Sequence, residues 1–336
     1  MPARESPRHV SRTGAQARQW RPGVSHRARR RVAPLAAFQR ARILRAAVEI
    51  AAARGYRRAT VTELVAHAGI SRHTFYGIYE SRDDCMLAAL EDAYERIAAV
   101  VTPAYAAQDG WAKRLRAALI ALLAFLEREP ESGALALSYL VGDGPRSPEL
   151  RMAVLARLRG VVWDGRWQHK AGRELSPLTE EVVVAGVLAI IHARLRTSPE
   201  RLGALVNQLM WTIVLPYLGP AAAARELTRA VPSPAVTSLA LPRIPLPIPA
   251  MRLTYRTARI IEAIAQAPGA SSAEIAAMAE LADRGQMKKM LARLLRLGLV
   301  ESNAAARAGG GRTWRLTPSG HELEAAIRRA PEAVGR

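Results

Sequence analysis

Residues 60–79 read TVTELVAHAGISRHTFYGIY, and the fold turns on how they are read. Thr60 followed by Glu63 has the spacing of a capping box, in which hydroxyl and carboxylate each satisfy a backbone N–H at a helix start. Val61, Leu64 and Val65 give that short helix one apolar stripe. Gly69 follows where the helix ends and left-handed backbone is often needed, and Ile70 fills the corner. Ser71 has the side chain of an N-cap and opens a second helix. Phe75, Ile78 and Tyr79 then fall at i, i+3 and i+4 and face inward, which leaves Arg72, His73, Thr74 and Tyr76 outside. A second helix with a polar outer face, set behind a glycine turn, is the arrangement that enters a DNA major groove. A plain helical hairpin is the alternative reading.

The flanks favour the first. Upstream, Ile43, Ala47, Ile50 and Ala51 mark an amphipathic helix that ends at Gly55-Tyr56. Downstream, Ser81-Arg82-Asp83-Asp84 has a cap and first-turn acids. The run from Ile43 to Leu90 resembles the DNA-binding domain of TetR-family transcriptional regulators. The carrying residues are Ile43–Ala47, Gly55-Tyr56, Thr60, Gly69-Ile70-Ser71, Thr74-Phe75-Tyr76, Tyr79 and Ser81-Arg82. The sequence departs from the family pattern at Gly77 and Ile78. The resemblance implies double-stranded DNA as partner, contacted through Thr60, Thr62, Ser71, Arg72, His73, Thr74, Tyr76, Tyr79 and Arg82. Arg72 and Thr74 are assigned to bases, Tyr76 and Arg82 to phosphates.

Composition agrees with a polyanionic partner. The chain has 336 residues, a net charge of +20 and a pI near 11.2, and such a base excess points first to nucleic acid and less to a membrane surface. Half the residues are hydrophobic but only 5% aromatic, which favours helices over sheets. The single cysteine, Cys85, excludes an intrachain disulfide and suits a reducing cytoplasm; it reads as a small buried hydrophobe. The longest apolar runs, 117–126 and 182–191, are about half of what a membrane span needs, and the N-terminus lacks a signal-peptide core. No metal cluster, dinucleotide glycine fingerprint or Ser/His/Asp arrangement is visible, so neither an enzyme nor a cofactor is expected.

Five regions are expected. Residues 1–36 form an Arg-rich arm without an apolar face, read as disordered; it could track phosphates, enter a minor groove or be a solvated tail. Residues 37–90 form the DNA-binding domain and 91–230 a helical effector and dimerisation domain. In the latter, helices are expected over 111–128, over 132–141, from Ser147-Pro148 to about Trp167, from Ser176-Pro177 to Arg196 and from Ser198-Pro199 to Leu218. The last two resemble the TetR-family dimerisation pair, with Val187, Ile191, Leu209 and Ile213 on the apolar stripes. A small-molecule effector pocket is likewise implied, for which Tyr105, Trp111, Phe125, Tyr139, Trp163, Trp167 and His192 are candidates; each also suits plain core. Residues 231–250 hold six prolines and read as a semi-rigid linker.

Residues 251–330 form a third module. An amphipathic helix over 257–266, a second capping box at Ser271/Glu274, a basic helix over 283–297, two short strands around a Gly309–Gly311 tip and a closing helix after Thr317-Pro318 follow in order. That order resembles the winged-helix domain of MarR-like regulators. It implies a second DNA contact through Arg284, Gln286, Lys288, Lys289, Arg307 and Arg312, with a protein-contact role as the alternative. The expected fold is therefore mainly α: a TetR-like bundle with a three-helix DNA-binding head and an α+β winged-helix appendage. The expected function is a cytoplasmic, homodimeric, ligand-responsive bacterial repressor on a palindromic operator. A sequence-indifferent architectural DNA binder is the competing class.

Overall fold

The computed structural model describes residues 26–142, 144–145, 147–231, 253–281, 284–304 and 312–334. The chain is mainly helical, with one small sheet near its C-terminal end. Helix α1 spans His26–Arg54 and is followed by a 3-10 turn, Tyr56–Arg58. Helices α2 (Val61–Ala68), α3 (Arg72–Tyr76) and α4 (Arg82–Ala106) complete the head, and α4 runs on into the second helical region. There follow α5 (Trp111–Arg128), α6 (Pro130–Leu140), α7 (Pro148–Trp163), α8 (Lys170–Arg173), α9 (Thr179–Thr197), α10 (Val206–Leu218) and α11 (Pro220–Leu227).

The C-terminal module is α12 (Tyr255–Gln266), β1 (Ala270–Ser271), α13 (Ser272–Met278), α14 (Arg284–Arg296), β2 (Val300–Ala304), β3 (Arg312–Leu316) and α15 (Pro318–Val334). Its sheet is antiparallel in the order β1-β3-β2, with Val300 opposite Leu316 and Ala270 opposite Trp314. Gly320 lies so close to the Leu299 carbonyl that any side chain would collide with it, which fixes a glycine at the entry to α15.

Two hydrophobic cores form, and α1 belongs to both. From Ile43 onward its apolar side chains join α2–α11, with Phe75, Met86, Leu90, Leu123 and Leu126 fully buried. Its earlier turns bury Leu35 and Phe38 among Ile260, Ile264, Leu323 and Trp314 of the C-terminal module. This corrects the expected boundary at residue 36, because helix already covers residues 26–36. Leu35 and Phe38 are an i, i+3 pair whose cover lies more than 200 residues away, so local periodicity could not reveal their burial. Residues 1–25 of the Arg-rich arm lie outside the described residues, as do residues 232–250 of the proline-rich segment.

Smaller differences have local causes. The helix expected from Ser198-Pro199 begins as a 3-10 segment, Pro199–Leu205, because the Gly203 N–H donates to Glu127 of α5 at 2.7 Å instead of joining a regular ladder. The helix expected to reach Trp167 stops at Trp163 and tightens into 3-10 geometry. Helix α11 and strand β1 were not anticipated. No described helix is long and apolar enough to cross a membrane.

Candidate nucleic-acid interface

The head is built by its caps. Thr60 Oγ1 accepts from the Glu63 N–H at 3.2 Å, while Glu63 accepts from the Thr60 N–H at 3.1 Å, so the capping box forms at the start of α2. Glu63 also receives Arg54 of α1 at 2.5 Å, which ties the box to the first helix. Gly69 ends α2 in left-handed backbone at φ 62°, and the Ile70 N–H donates back to Val65. Ser71 then caps α3 by accepting from the Thr74 N–H at 3.0 Å. Phe75 is completely buried beneath α3. A cap of this kind is worth ~1 kcal/mol, and removing a buried Phe side chain costs ~3–5 kcal/mol. Phe75 therefore decides whether α3 is held in place, and the caps decide where it starts.

This scaffold presents Arg72, His73 and Tyr76 to solvent, with Tyr76 57% exposed. Arg72 does not swing freely: its Nη2 donates to Thr62 Oγ1 of α2 at 2.6 Å. Thr62 therefore orients the guanidinium that leads α3. Ser71 and Thr74 are half-buried, and their hydroxyls lie 2.9 Å apart within the cap. Thr60 is exposed, but its hydroxyl is engaged by Glu63.

One expected DNA contact, Tyr79, is corrected by its burial, and a second, Arg82, is engaged within the protein. Tyr79 is only 5% exposed, packs against Phe75 and accepts from Arg40 Nε at 3.4 Å. Burial pushes its phenol up to about 12. It is a core residue of the turn after α3, which itself ends at Tyr76 and not at Tyr79. Arg82 is a clamp: it donates to Asp83 at 2.6 Å, to the carbonyls of Ala59 and Arg57 at 3.2 and 3.4 Å, and to Tyr56 Oη at 3.2 Å. Its guanidinium also lies 4.8 Å from the centre of the Tyr56 ring. Those contacts pin the start of α4 to the turn before α2. The sequence reading missed Arg58, an exposed cation in that turn just ahead of the α2 N-terminus. The adjacent Arg57-Arg58 pair was the available signal.

In the C-terminal module Lys288 and Lys289 are exposed on α14, opposite buried Met287 and Leu291. Gln286 accepts from Arg256 of α12 at 2.7 Å. Arg312 is exposed at the start of β3, and Arg284 begins α14. Arg307 lies outside the described residues.

The seven expected effector-pocket residues do not share one environment. Trp111 and Phe125 are buried; the Trp111 indole donates to the Val161 carbonyl at 2.9 Å and its ring meets Tyr217 edge-on. Tyr139 is buried and donates to the Ser147 carbonyl. Trp163 and Trp167 lie on the surface, Trp167 62% exposed, each under an arginine, Arg166 and Arg173. Tyr105 is half-buried beneath Arg114. His192 is half-buried 3.3 Å from Ser138 Oγ, and burial, then Arg196, lowers its pKa. Trp163 and Trp167 were drawn in by spacing, but the helix ends between them and turns both outward.

Three of the four residues expected on the dimerisation stripe lie in the subunit's own core. Ile191, Leu209 and Ile213 are buried within the subunit, Ile191 completely. Val187 is half-buried. The exposed apolar side chains of α9 and α10 are instead Val182, Ile190 and Trp211, and Leu227 of α11 joins Ile190 and Trp211 along an open groove of about 430 Å³. Both helices are apolar on more than one face, and spacing alone chose the inner one.

Comparison with known proteins follows this geometry. Residues 43–89 match the model of the family described as bacterial regulatory proteins, tetR family. The head is thus a TetR-family helix-turn-helix domain. No curated protein matches the chain. Among solved structures, a TetR-like transcriptional regulator from Rhodococcus sp. RHA1 is similar at 20% identity, over 54% of this chain and 97% of its own, with a TM-score of 0.46. The fatty acid degradation regulator FadR from Bacillus halodurans is similar at 16% identity over 52% and 97%, with a TM-score of 0.44. The TetR regulator tylp from Streptomyces fradiae is similar at 20% identity over 56% and 90%, with a TM-score of 0.41.

Proposed function

We propose that the chain is a DNA-binding transcriptional regulator that acts as a ligand-responsive repressor. Two copies pair through the outer faces of α9 and α10, and their heads read a near-palindromic operator. The observation that carries this reading is α3. It is capped by Ser71, held down by Phe75, and led by an exposed Arg72 that Thr62 orients. Arg is the side chain whose fork pairs with a guanine edge, and the residues at a recognition helix's start are the ones that reach bases. His73, Tyr76 and Arg58 extend the contact toward phosphates.

The C-terminal module is read as a winged helix that adds a second DNA contact. Support comes from its order of elements, its antiparallel hairpin and the exposed lysines of α14. An unidentified small molecule is the effector, and the action belongs in the cytoplasm without enzymatic chemistry. The net charge of +20 favours one rival, a sequence-indifferent architectural protein. Competition separates the two: a regulator keeps its selected site against a large excess of random DNA, because specific binding is ~10³–10⁷ tighter than nonspecific binding. Equal displacement from every duplex would favour the architectural reading.

A further inference from the structure

The starts of α3 and α14 meet through a short chain of hydrogen bonds. The Leu253 N–H donates to the carbonyl of Gly69, the turn glycine just before α3, at 3.3 Å. The Leu253 carbonyl accepts from buried Gln39 of α1 at 2.9 Å. Thr254 next caps α12, and Arg256 in its first turn donates to Gln286 in the first turn of α14. Beside this chain, α12 and α14 leave an open groove of about 520 Å³. Thr254, Tyr255, Arg256 and Arg293 are among its lining residues, and among the described residues no carboxylate lines it. Helix α14 itself carries five cations and no acid. Its Lys288, Lys289, Arg293 and Arg296 are exposed, and none forms an ion pair with a described residue.

The junction is also packed. Phe38 of α1 is buried within the C-terminal core, on the same helix that carries the head's core from Ile43. Moving the module away from the head would expose that ring.

We infer that the head and the C-terminal module form one DNA-binding surface of fixed spacing. The groove between α12 and α14 takes the backbone phosphates that lie between the bases under α3 and the contacts under α14. This rests on the reading of α3 as a DNA reader. Each half-site is then two blocks at one separation, set by α1 and Leu253. A module that hung on a loose tether would accept many separations.

The test is selection of full-length protein on randomised duplex DNA, followed by anisotropy titrations on the recovered site. The same site is also made with about five extra base pairs between the blocks, half a helical turn. Two blocks per half-site are expected, and the insertion should weaken binding by roughly tenfold or more, the scale of losing one matched base pair. Phe38→Asp should undock the module and make binding indifferent to the insertion, with helical content checked by circular dichroism. Should that variant lose its fold, the surface variant Lys288→Ala/Lys289→Ala serves: it should lose selection of the outer block. One block per half-site, or two blocks bound equally at every spacing, overturns the inference and leaves the head's DNA reading intact. A selection that returns no sequence at all overturns both.

Discussion

Arg82 shows how two identical side-chain types in one motif take different jobs. Arg72 keeps one hydrogen bond to the protein and faces outward, whereas Arg82 spends its donors on Asp83, Tyr56 and two carbonyls. Arg82→Ala should therefore act through stability. Hydrogen bonds to charged groups contribute ~1.5–3 kcal/mol when made, and partial exposure keeps this site at the low end. DNA affinity should fall while the slope of log affinity against log salt stays at its parent value, since a lost phosphate contact would flatten it by ~0.9. A flattened slope with unchanged thermal stability would return Arg82 to the phosphate contacts. The sequence carried the polar face of α3 clearly, because caps, glycine and buried Phe75 are all local signals. It could not separate Arg72 from Arg82, because apart from Asp83 the groups that engage Arg82 come from residues 56–59, in the turn before α2. Tyr79 was misplaced for a related reason: a tyrosine has an apolar body and a polar tip, and Arg40 on another helix decides where the tip goes.

At the scale of elements, one buried ion pair ties the second helical region together. Arg166, in the 3-10 turn after α7, makes a bidentate contact with Glu180 of α9 at 2.6 and 3.0 Å and donates to the carbonyls of Leu175 and Ser176. Tyr217 of α10 donates to the same carboxylate at 3.2 Å. Burial raises the Glu180 pKa, but the bonds from Arg166 and Tyr217 outweigh it and leave the group below its ordinary value. A carboxyl depressed in the folded state contributes stability that is full above its unfolded pKa and lost as pH falls through the folded one. Glu180→Gln should lower the urea midpoint at neutral pH, since breaking a buried pair costs ~3–5 kcal/mol. Its gap from the parent should close as pH falls below the ordinary carboxylate range. A gap that stays constant down to acid unfolding would remove Glu180 from that role. Nothing in the sequence marked this pair, whose partners belong to helices that local spacing treats as separate. The capping boxes at Thr60 and Ser271 were legible because both halves lie within three residues.

At the scale of the molecule, the proposed pairing places a second copy on the apolar surface exposed on α9–α11. Trp211→Asp/Ile190→Asp places charge where the subunit is open, so light scattering should show monomers whose circular dichroism stays helical. Ile191→Asp buries a charge inside the subunit and should unfold it. A double variant that remains dimeric would place the interface elsewhere. The capped starts of α2, α3, α4 and α13 were readable from local signals, but the sharing of α1 between two cores was not. Leu35 and Phe38 sit in a stretch crowded with arginine, and their cover comes from the far end of the chain.

The most direct test of the account is a paired binding selection on randomised duplex DNA with the parent and Arg72→Ala. The parent should return a near-palindromic motif. The variant should return the same motif with preference relaxed at one position in each half-site, by ~1–3 kcal/mol of discrimination. An identical motif at identical strength from both proteins, or no motif from the parent, would contradict it.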